Sequence, residues 1–242
     1  MIVITALMVA MVLLSTAIFV IEAEKDVPTV GDDTSNVLSA YQQATRETLI
    51  SVLSNVTNGG NPSVLTADLN ELESVIVSKS YQSILEMSFT PLNELPYQNG
   101  ILISWGTTGQ GISSASITLG VNSSGTSLTS NLSSEVNITS EVDLVGSYLQ
   151  LASNLTQVNL NVNVLNEGGP ALAQNLAFFF DNATEGWAEV YSPTICDFGN
   201  GTYTASFTTE TSQWAGPFLV SVRCEDQRGI LIVANATCTN GQ

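Results

Sequence analysis

The feature that most constrains this chain is its uncharged first stretch, Met1 to Ile21. Three hydroxyls are its only polar side-chain groups, and the first charge is Glu22. A helix of this length, rising about 1.5 Å per residue, spans about 30 Å, which is the thickness of the hydrocarbon core of a bilayer. The sequence therefore predicts a long N-terminal hydrophobic helix over residues 1–27. Such a helix crosses a membrane or is buried against other apolar helices.

The flanks of this segment separate three interpretations. A secretory signal peptide has a basic n-region and an apolar core of roughly 7–15 residues, whereas here nothing basic comes first and the run is longer. A membrane anchor takes its orientation from cytoplasmic Lys or Arg, whereas the flank Glu22–Asp26 is net acidic. The third interpretation is a class III signal peptide, whose basic leader is cut off just before Met1 and whose apolar helix is kept.

On this segment the chain resembles archaeal type IV pilins and archaellins, which begin with such a helix and carry a β-rich head. The resemblance covers the helix and the general plan, and Thr5 stands where bacterial pilins carry Glu. It implies that the helix packs with its copies into the core of a filament. The residues expected in that filament core are Met1, Ile4, Leu7, Met8, Met11, Leu13, Leu14, Ile18, Phe19 and Ile21.

The charge balance excludes several classes of function. Acidic residues number 22 against 5 basic ones, for a net charge of −17, and there is no histidine. A chain this acidic lacks the basic surface that nucleic acids bind. Without histidine, neither a Ser-His-Asp nor a Cys-His arrangement can form, and the commonest general base is missing. We therefore expect no enzyme activity, no cofactor and no nucleic-acid partner.

The remaining candidates for chemistry are weak. Paired carboxylates can hydrolyse glycosides, but Glu71 with Glu73 is typical of a solvated helix face, and Glu225 with Asp226 of a hairpin tip. No calcium-loop motif is present, so we expect no metal site. The tryptophans could form a sugar-binding set, but each lies beside a strand end, which favours packing at the core or rim. They are Trp105, Trp187 and Trp214.

Asn-x-Ser/Thr sequons are the most frequent motif in the chain. Chance predicts about four in a sequence this rich in Asn, Ser and Thr, and eight are present. Several lie at turns or strand ends, where surface acceptors belong, and they predict an extracellular glycoprotein. The acceptors are Asn55, Asn122, Asn131, Asn137, Asn154, Asn182, Asn200 and Asn235.

Three cysteines lie near the C-terminus: Cys196, Cys224 and Cys238. Their spacing does not match a zinc site, and an extracellular protein favours one disulfide with one thiol left over. In an alternating up-and-down count of strands, Cys196 and Cys224 end strands that run the same way. We therefore predict a Cys196–Cys224 disulfide, with Cys238 free or intermolecular.

Residues 33–88 are predicted to form an amphipathic helical hairpin. Pro28 and Gly31 end the preceding helix, and the N-capping residues from Asp33 start the next one. A capping-box pair, Asp68 with Glu71, predicts a further helix that runs to about Met87. Apolar residues recur at intervals of three and four in both segments, which is typical of one buried face.

From about residue 99 the apolar period changes from 3.6 to 2, which indicates strands over residues 99–242. Val158–Val164 alternates aliphatic side chains with Asn, and Asn200-Gly201 is a hairpin turn signal. Short strands with turns every 8–12 residues predict an antiparallel Ig-like β-sandwich over about 139–238. The expected fold class is α+β, with the N-terminal helix, the helical hairpin and the sandwich in that order.

Together these patterns predict a structural subunit of an archaeal type IV pilus-like filament. The subunit would sit in the membrane before assembly and polymerise outside the cell with copies of itself, and its head would carry glycans and serve cell adhesion. Three alternatives stay open: an archaellin of the same build, a membrane-anchored adhesion protein, and an enzyme on an Ig-like scaffold.

Overall fold

The computed structural model describes residues 33–79, 85–124, 129–152, 154–182, 186–210 and 217–241. Within these residues the protein is predominantly β, with two helices and largely antiparallel sheets. The predicted fold class, an α+β protein led by a long hydrophobic helix, is therefore wrong. No long apolar helix is seen among the described residues, and the helix predicted over residues 1–27 lies outside them.

The helices are α1 (Asp33–Thr57) and α2 (Val64–Lys79). The strands are β1 (Leu85–Pro91), β2 (Ile101–Trp105), β3 (Gln110–Ser124), β4 (Thr129–Ala152), β5 (Leu155–Asn166), β6 (Gly169–Pro170), β7 (Ala173–Asn182), β8 (Gly186–Glu189), β9 (Thr194–Asp197), β10 (Thr202–Glu210), β11 (Leu219–Asp226), β12 (Leu231–Thr237) and β13 (Thr239–Asn240).

The helical hairpin differs from its prediction at the second helix. The helix α1 begins at Asp33, where the N-capping residues predict it. The helix α2 begins at Val64, after a turn in which the Ser63 amide donates to Asn61 Oδ1 at 3.0 Å. Asp68 therefore lies inside the helix and is not its cap. The prediction that α2 continues to Met87 is wrong, because Met87 lies in β1 and pairs with β3.

Contacts divide the chain into two compact units. The first comprises Met1–Val52, Asn61–Gly100 and Ser116–Asn137. The second comprises Leu53–Gly60, Ile101–Ala115 and Ile138–Gln242. The strands β3 and β4 are long enough to contribute residues to both.

In the first unit, α2 contacts β1, and β1 pairs antiparallel with β3. From Ile117 onward alternate residues of β3 are buried (Ile117, Leu119 and Val121), which gives that part of the strand one apolar face. The helix α2 buries residues spaced four, three and four apart, so one stripe of it faces inward. The buried residues of α2 are Leu65, Leu69, Leu72 and Ile76.

The second unit contains two sheets. One belongs to the nine-stranded sheet of order β1–β3–β4–β5–β10–β9, in which β2 also pairs with β3, β13 with β4 and β6 with β5. The other has the order β12–β11–β7–β8. The strands β9 and β8 therefore end their respective sheets.

The inward sides of these two sheets form one buried core. On β5 the predicted alternation is confirmed: Val158, Leu160, Val162 and Val164 are buried, and the asparagines between them are not. Phe218 is stacked on Tyr148, with 5.7 Å between ring centroids. Because every second residue of β5 is inward, its polar side is fixed as an outer surface.

The predicted Ig-like arrangement of seven short strands is wrong in its dimensions. The strands β4 and β5 are 24 and 12 residues long, and β4 begins before the predicted sandwich. The hairpin turn at Asn200-Gly201 is confirmed between β9 and β10. Gly201 adopts a φ of +81°, and a Cβ there would come within 2.7 Å of the Ala171 carbonyl oxygen, so the turn requires glycine.

Candidate functional site

The ten residues predicted to form the filament core all lie in Met1–Ile21, outside the described residues. Among the residues that the structure does describe, no helix combines the length and the apolar character needed to span a membrane. The site predictions that the structure does locate are the sequons, the cysteines, the carboxylate pairs and two tryptophans.

Five of the predicted glycan acceptors are exposed on the described surface. They occupy strands and turns alike: one lies on β3, two on β4, one immediately before β5, and one in the turn between β9 and β10. An exposed acceptor amide is what covalent glycosylation of a folded surface requires. These exposed acceptors are Asn122, Asn131, Asn137, Asn154 and Asn200.

Two further acceptors are held by the fold. Asn55 lies in α1, and a Cβ placed on Gly60 would overlap its Oδ1 atom. The hydroxyl of its sequon, on Thr57, is buried; it donates to the Leu53 carbonyl and accepts the Leu231 amide. Asn235 is half-buried and donates its side-chain amide to the Gly106 carbonyl at 3.3 Å.

These contacts matter because a glycan on Asn235 would break its hydrogen bond to Gly106, and because the hydroxyl of the Asn55 sequon is engaged inside the fold. The Asn235 Nδ2 atom is the very atom to which a glycan would be joined, and it already serves a hydrogen bond. The fold therefore disfavours modification of Asn55 and Asn235 after folding. The side chain of Asn182 lies outside the described residues.

The structure does not form the predicted Cys196–Cys224 disulfide, and all three cysteines are free thiols in it. Cys196 lies on the edge strand β9 opposite Thr204, whose side chain faces outward. Cys224 lies on β11 in the other sheet and is buried in the core. The up-and-down count failed because it fixed the end of each strand but not the face of the sheet.

Burial disfavours the reactive thiolate form of the two core thiols. Burial and, less strongly, the nearby charges of Asp226 and Glu225 together raise the pKa of Cys224 to about 12. Burial alone raises the pKa of Cys238 to about 12. The thiolate is the reactive form of cysteine, so Cys196 is the accessible thiol of the three.

The carboxylate pairs do not form a catalytic arrangement. Glu71 is exposed on α2, as predicted for a solvated helix face. Asp68, one turn earlier, has a raised pKa because of partial burial and, less strongly, the Glu71 charge. Asp226 lies at the tip of the β11–β12 hairpin, as predicted, but its side chain is fully buried.

Asp226 is the centre of a polar network that sequence reasoning missed. Its Oδ1 atom accepts the amides of Arg228 and Ile230 at 2.8 and 3.0 Å. Its Oδ2 atom accepts the Ser140 hydroxyl at 2.8 Å and Arg228 Nε at 2.9 Å. Both oxygens are saturated by fixed donors, so this carboxylate is a structural anchor and has no free lone pair for general-base work.

Arg228 carries the network on to β4 and to the turn after β5. Its guanidinium donates to Glu167 Oε1 at 2.7 Å and to the Thr139 carbonyl at 3.0 Å. Glu167 has a φ of 48°, an uncommon conformation for a residue other than glycine, and its backbone amide donates back to the Thr139 carbonyl. The sequence signal that could have revealed this site is the Asp226 to Gly229 turn, with Asp first and Gly fourth.

The described tryptophans differ in their surroundings. Trp105 packs against the core, as predicted, and its Nε1 donates to Ser113 Oγ at 3.2 Å. Trp187, on the edge strand β8, is half exposed, and Trp214 lies outside the described residues. Within the described part of the chain, no three Cys, Asp or Glu side chains are grouped so that they could hold a metal ion.

Comparison with models of known protein families gives no match, and comparison with curated proteins gives none either. A functional proposal for this chain therefore rests on its own residues.

Proposed function

We propose that this protein is a structural subunit of an extracellular filament of the archaeal type IV pilus kind. The observation that carries the proposal is the uncharged segment Met1–Ile21, joined to a β-rich region with exposed glycan acceptors. In this proposal the segment resides in the membrane before assembly and then packs against the same segment of neighbouring copies. The β-rich region faces outward and carries the glycans.

Burial of apolar surface supplies the driving force for assembly. Each large aliphatic side chain that passes from water into an apolar contact contributes about 1.5–3 kcal/mol. A segment with Ile, Val, Leu and Met throughout repeats that gain many times per subunit. Contact between different parts of the segment on successive copies does not close on itself, so it propagates as a helical polymer.

The described part of the chain supports an outer, load-bearing role in two ways. Five acceptor asparagines are exposed, which suits a glycan-coated exterior. The pair of buried Asp226 and half-buried Arg228 joins the β11–β12 hairpin to β4 and to the turn after β5, which suits a rigid head. Both features fit the outer sheath of a filament.

A charge placed in the apolar segment tests the proposal. We expect Leu13→Glu or Val20→Glu to abolish filaments in negative-stain electron microscopy of material sheared from cells. Leu132→Glu, which places the same charge on an exposed aliphatic of the head, is the matched control and keeps filaments. Circular dichroism of each variant checks that the head is folded. Normal filaments from the Leu13 and Val20 variants would refute the proposal.

The same apolar segment favours a second candidate, a membrane-anchored surface protein that serves adhesion. Its length of about 30 Å as a helix matches a bilayer as well as a filament core. The two candidates differ in extraction: an anchored monomer leaves the cell only with detergent, whereas a filament subunit is released by shear as a polymer. An archaellin would form the same polymer, and a motility assay of cells carrying Leu13→Glu separates it from a pilin.

A further inference from the structure

The outward side of four neighbouring strands forms a continuous surface of short amide and hydroxyl side chains. The strands are β4, β5, β10 and β9, in that order across the sheet. Since the inward residues of β5 and β10 are buried in the core, the residues between them face outward. Asn159 and Asn161 at the centre of this surface are exposed.

Strand register aligns these side chains in rows. We name this surface the amide face. Its three central rows, read from β4 across to β9, are Val145–Asn161–Thr204–Cys196, Ser147–Asn159–Ser206–Thr194 and Leu149–Gln157–Thr208.

The three central rows contain no charged side chain. The nearest acidic residues on the same side are Asp143, one row beyond Val145, and Glu210, one row beyond Thr208. In a chain of net charge −17, two copies repel each other wherever their acidic residues meet. A contact between copies costs least on an uncharged surface such as this one.

Predicted glycans leave the amide face clear. Asn154 lies at the β4–β5 end of the face, and Asn200 lies at the opposite end, in the β9–β10 turn. The asparagines on the face itself, Asn159, Asn161 and Asn163, are not followed by the Ser or Thr that a sequon requires. Glycans on the neighbouring acceptors would border the face without covering it.

The β4 side of the face exposes large aliphatic side chains. Val145 is 66% exposed and Leu149 43%. Exposed aliphatics grouped on one strand mark a contact surface more often than isolated ones do. Asparagine side chains beside them each offer a donor and an acceptor, so the face can hydrogen-bond to a copy of itself.

The size of the face limits how strong that contact is. Three strand spacings of about 4.8 Å by six residue rises of about 3.4 Å give a footprint of about 300 Å². A stable dimer buries about 800 Å² per partner. The face alone therefore supports a weak contact, which becomes effective when the subunits are already held together elsewhere.

We propose that the amide face is the surface through which the β-rich region docks onto a second copy of this chain in assembled material. This inference rests on the proposed filament function, because the apolar segment supplies the affinity that the face lacks. Cys196 lies on the edge strand β9, at one side of the amide face. The rate at which a reagent labels its thiol therefore measures how accessible the face is.

The test is the rate at which a maleimide labels Cys196 in the full-length chain. The other two thiols are buried, so a single site is observed. Labelling is compared between sheared filaments and detergent-dissociated chain, the latter from 1 µM to 1 mM, and sites are identified by mass spectrometry. We expect labelling in filaments to be at least about tenfold slower than in dilute chain. Val145→Glu should remove most of that protection, whereas Leu132→Glu, off the face, should keep it.

The outcomes separate this inference from the proposed function. Filaments in which Cys196 labels as fast as in dissociated chain overturn the docking surface and leave the filament proposal intact. If no filaments form but labelling slows with concentration in a Val145-dependent way, the docking surface stands and the filament proposal fails. Absence of both effects overturns both, and protection that appears only with an added oligosaccharide overturns docking by a second copy.

Discussion

Arg228 Nε donates a hydrogen bond to Asp226 Oδ2 across 2.9 Å, and that carboxylate is wholly buried. The pair joins the turn between β11 and β12 to Ser140 on β4 and to Glu167 after β5. A carboxylate removed from water is tolerated only when its charge is paired and its lone pairs are occupied. Arg228 therefore supplies the positive charge that makes burial of the Asp226 carboxylate tolerable.

Removal of the Arg228 side chain is expected to destabilise the folded protein strongly. Arg228→Met should lower the free energy of unfolding by about 3 kcal/mol, because the Asp226 charge is left buried without its partner. Arg223→Met removes the same side chain from an exposed position on β11 and should change stability by less than about 0.5 kcal/mol. Urea unfolding followed by tryptophan fluorescence measures both. Equal effects of the two substitutions would contradict the anchor role.

Thiol counting tests the correction to the disulfide. Under native conditions a thiol reagent should modify one cysteine per chain, and in denaturant three, since Cys224 and Cys238 are buried. Cys196→Ser should reduce the native count to zero and leave two in denaturant. A denatured count of one, rising to three after reduction, would show that two of the cysteines are joined, and peptide mapping that finds Cys196 linked to Cys224 would restore the predicted disulfide.

The raised thiol pKa values make folding sensitive to alkali. The pKa of Cys224 and of Cys238 rises from 9.0 to about 12, so above pH 9 the unfolded chain loses these protons while the folded chain keeps them. The contribution of these two thiols to the free energy of unfolding is fully present below pH 9 and is lost as the pH rises toward 12. At pH 10 the expected loss is about 1.4 kcal/mol for each thiol.

Urea unfolding at pH 8, 9 and 10 measures the slope of the free energy of unfolding against pH. The double substitution Cys224→Ala with Cys238→Ala should flatten it, although the variant starts from a lower stability. Cys196→Ser is the matched control and should leave the slope unchanged, because that thiol is exposed. A slope that survives the double substitution would assign the alkaline loss to other groups.

Gly146 tests how closely the two sheets of the second unit approach. A Cβ built on Gly146 would overlap Cys238 Sγ and come within 3.0 Å of Leu160 Cδ2. Gly146→Ala should therefore cost about 1–3 kcal/mol through overpacking. Gly169→Ala is the control, since a Cβ there meets only the Asn166 carbonyl oxygen at 3.5 Å. Thermal unfolding compares the two; a neutral Gly146→Ala would mean that the core relaxes freely.

Sequon occupancy should follow exposure. Glycopeptide mass spectrometry of protein from its native host should find glycans at exposed acceptors such as Asn122, Asn137 and Asn200. Asn235 should be unmodified, because its side-chain amide donates to Gly106 inside the fold. Full occupancy of Asn235 would show that modification precedes folding and that the fold accommodates the glycan.

The residues explain which parts of the fold were predictable. The alternation along Val158–Val164 identified β5 and its buried face, because period-two burial is a local property of a strand. The end of α2 was missed, because Met87 enters a strand only through its pairing with Val121, which is distant in the sequence. Strand pairing of that kind overrides a local helical pattern.

The site predictions divide in the same way. Exposure of Asn200 follows from its turn, which the Asn-Gly pair encodes locally. The cysteine pairing depended on which face of a sheet each residue occupies, and a one-residue difference reverses that face. The role of Asp226 depended on Ser140, which donates to it from 86 positions away in the sequence, and on Arg228, which joins it to Glu167, 61 positions from that arginine.

The last turn of α1 is tied to the β11–β12 hairpin by side chains on both sides of the junction. Ser54 Oγ and Asn58 Nδ2 both donate to the Gly229 carbonyl, and the Leu231 amide donates to Thr57 Oγ1. The helix is continuous from Asp33 to this point. A substitution that removes any of these three hydrogen bonds would therefore disturb the last turn of α1 and the β11–β12 hairpin together. The end of this helix is held by the same turn that carries the buried Asp226 carboxylate, so the two should lose their order in a single step.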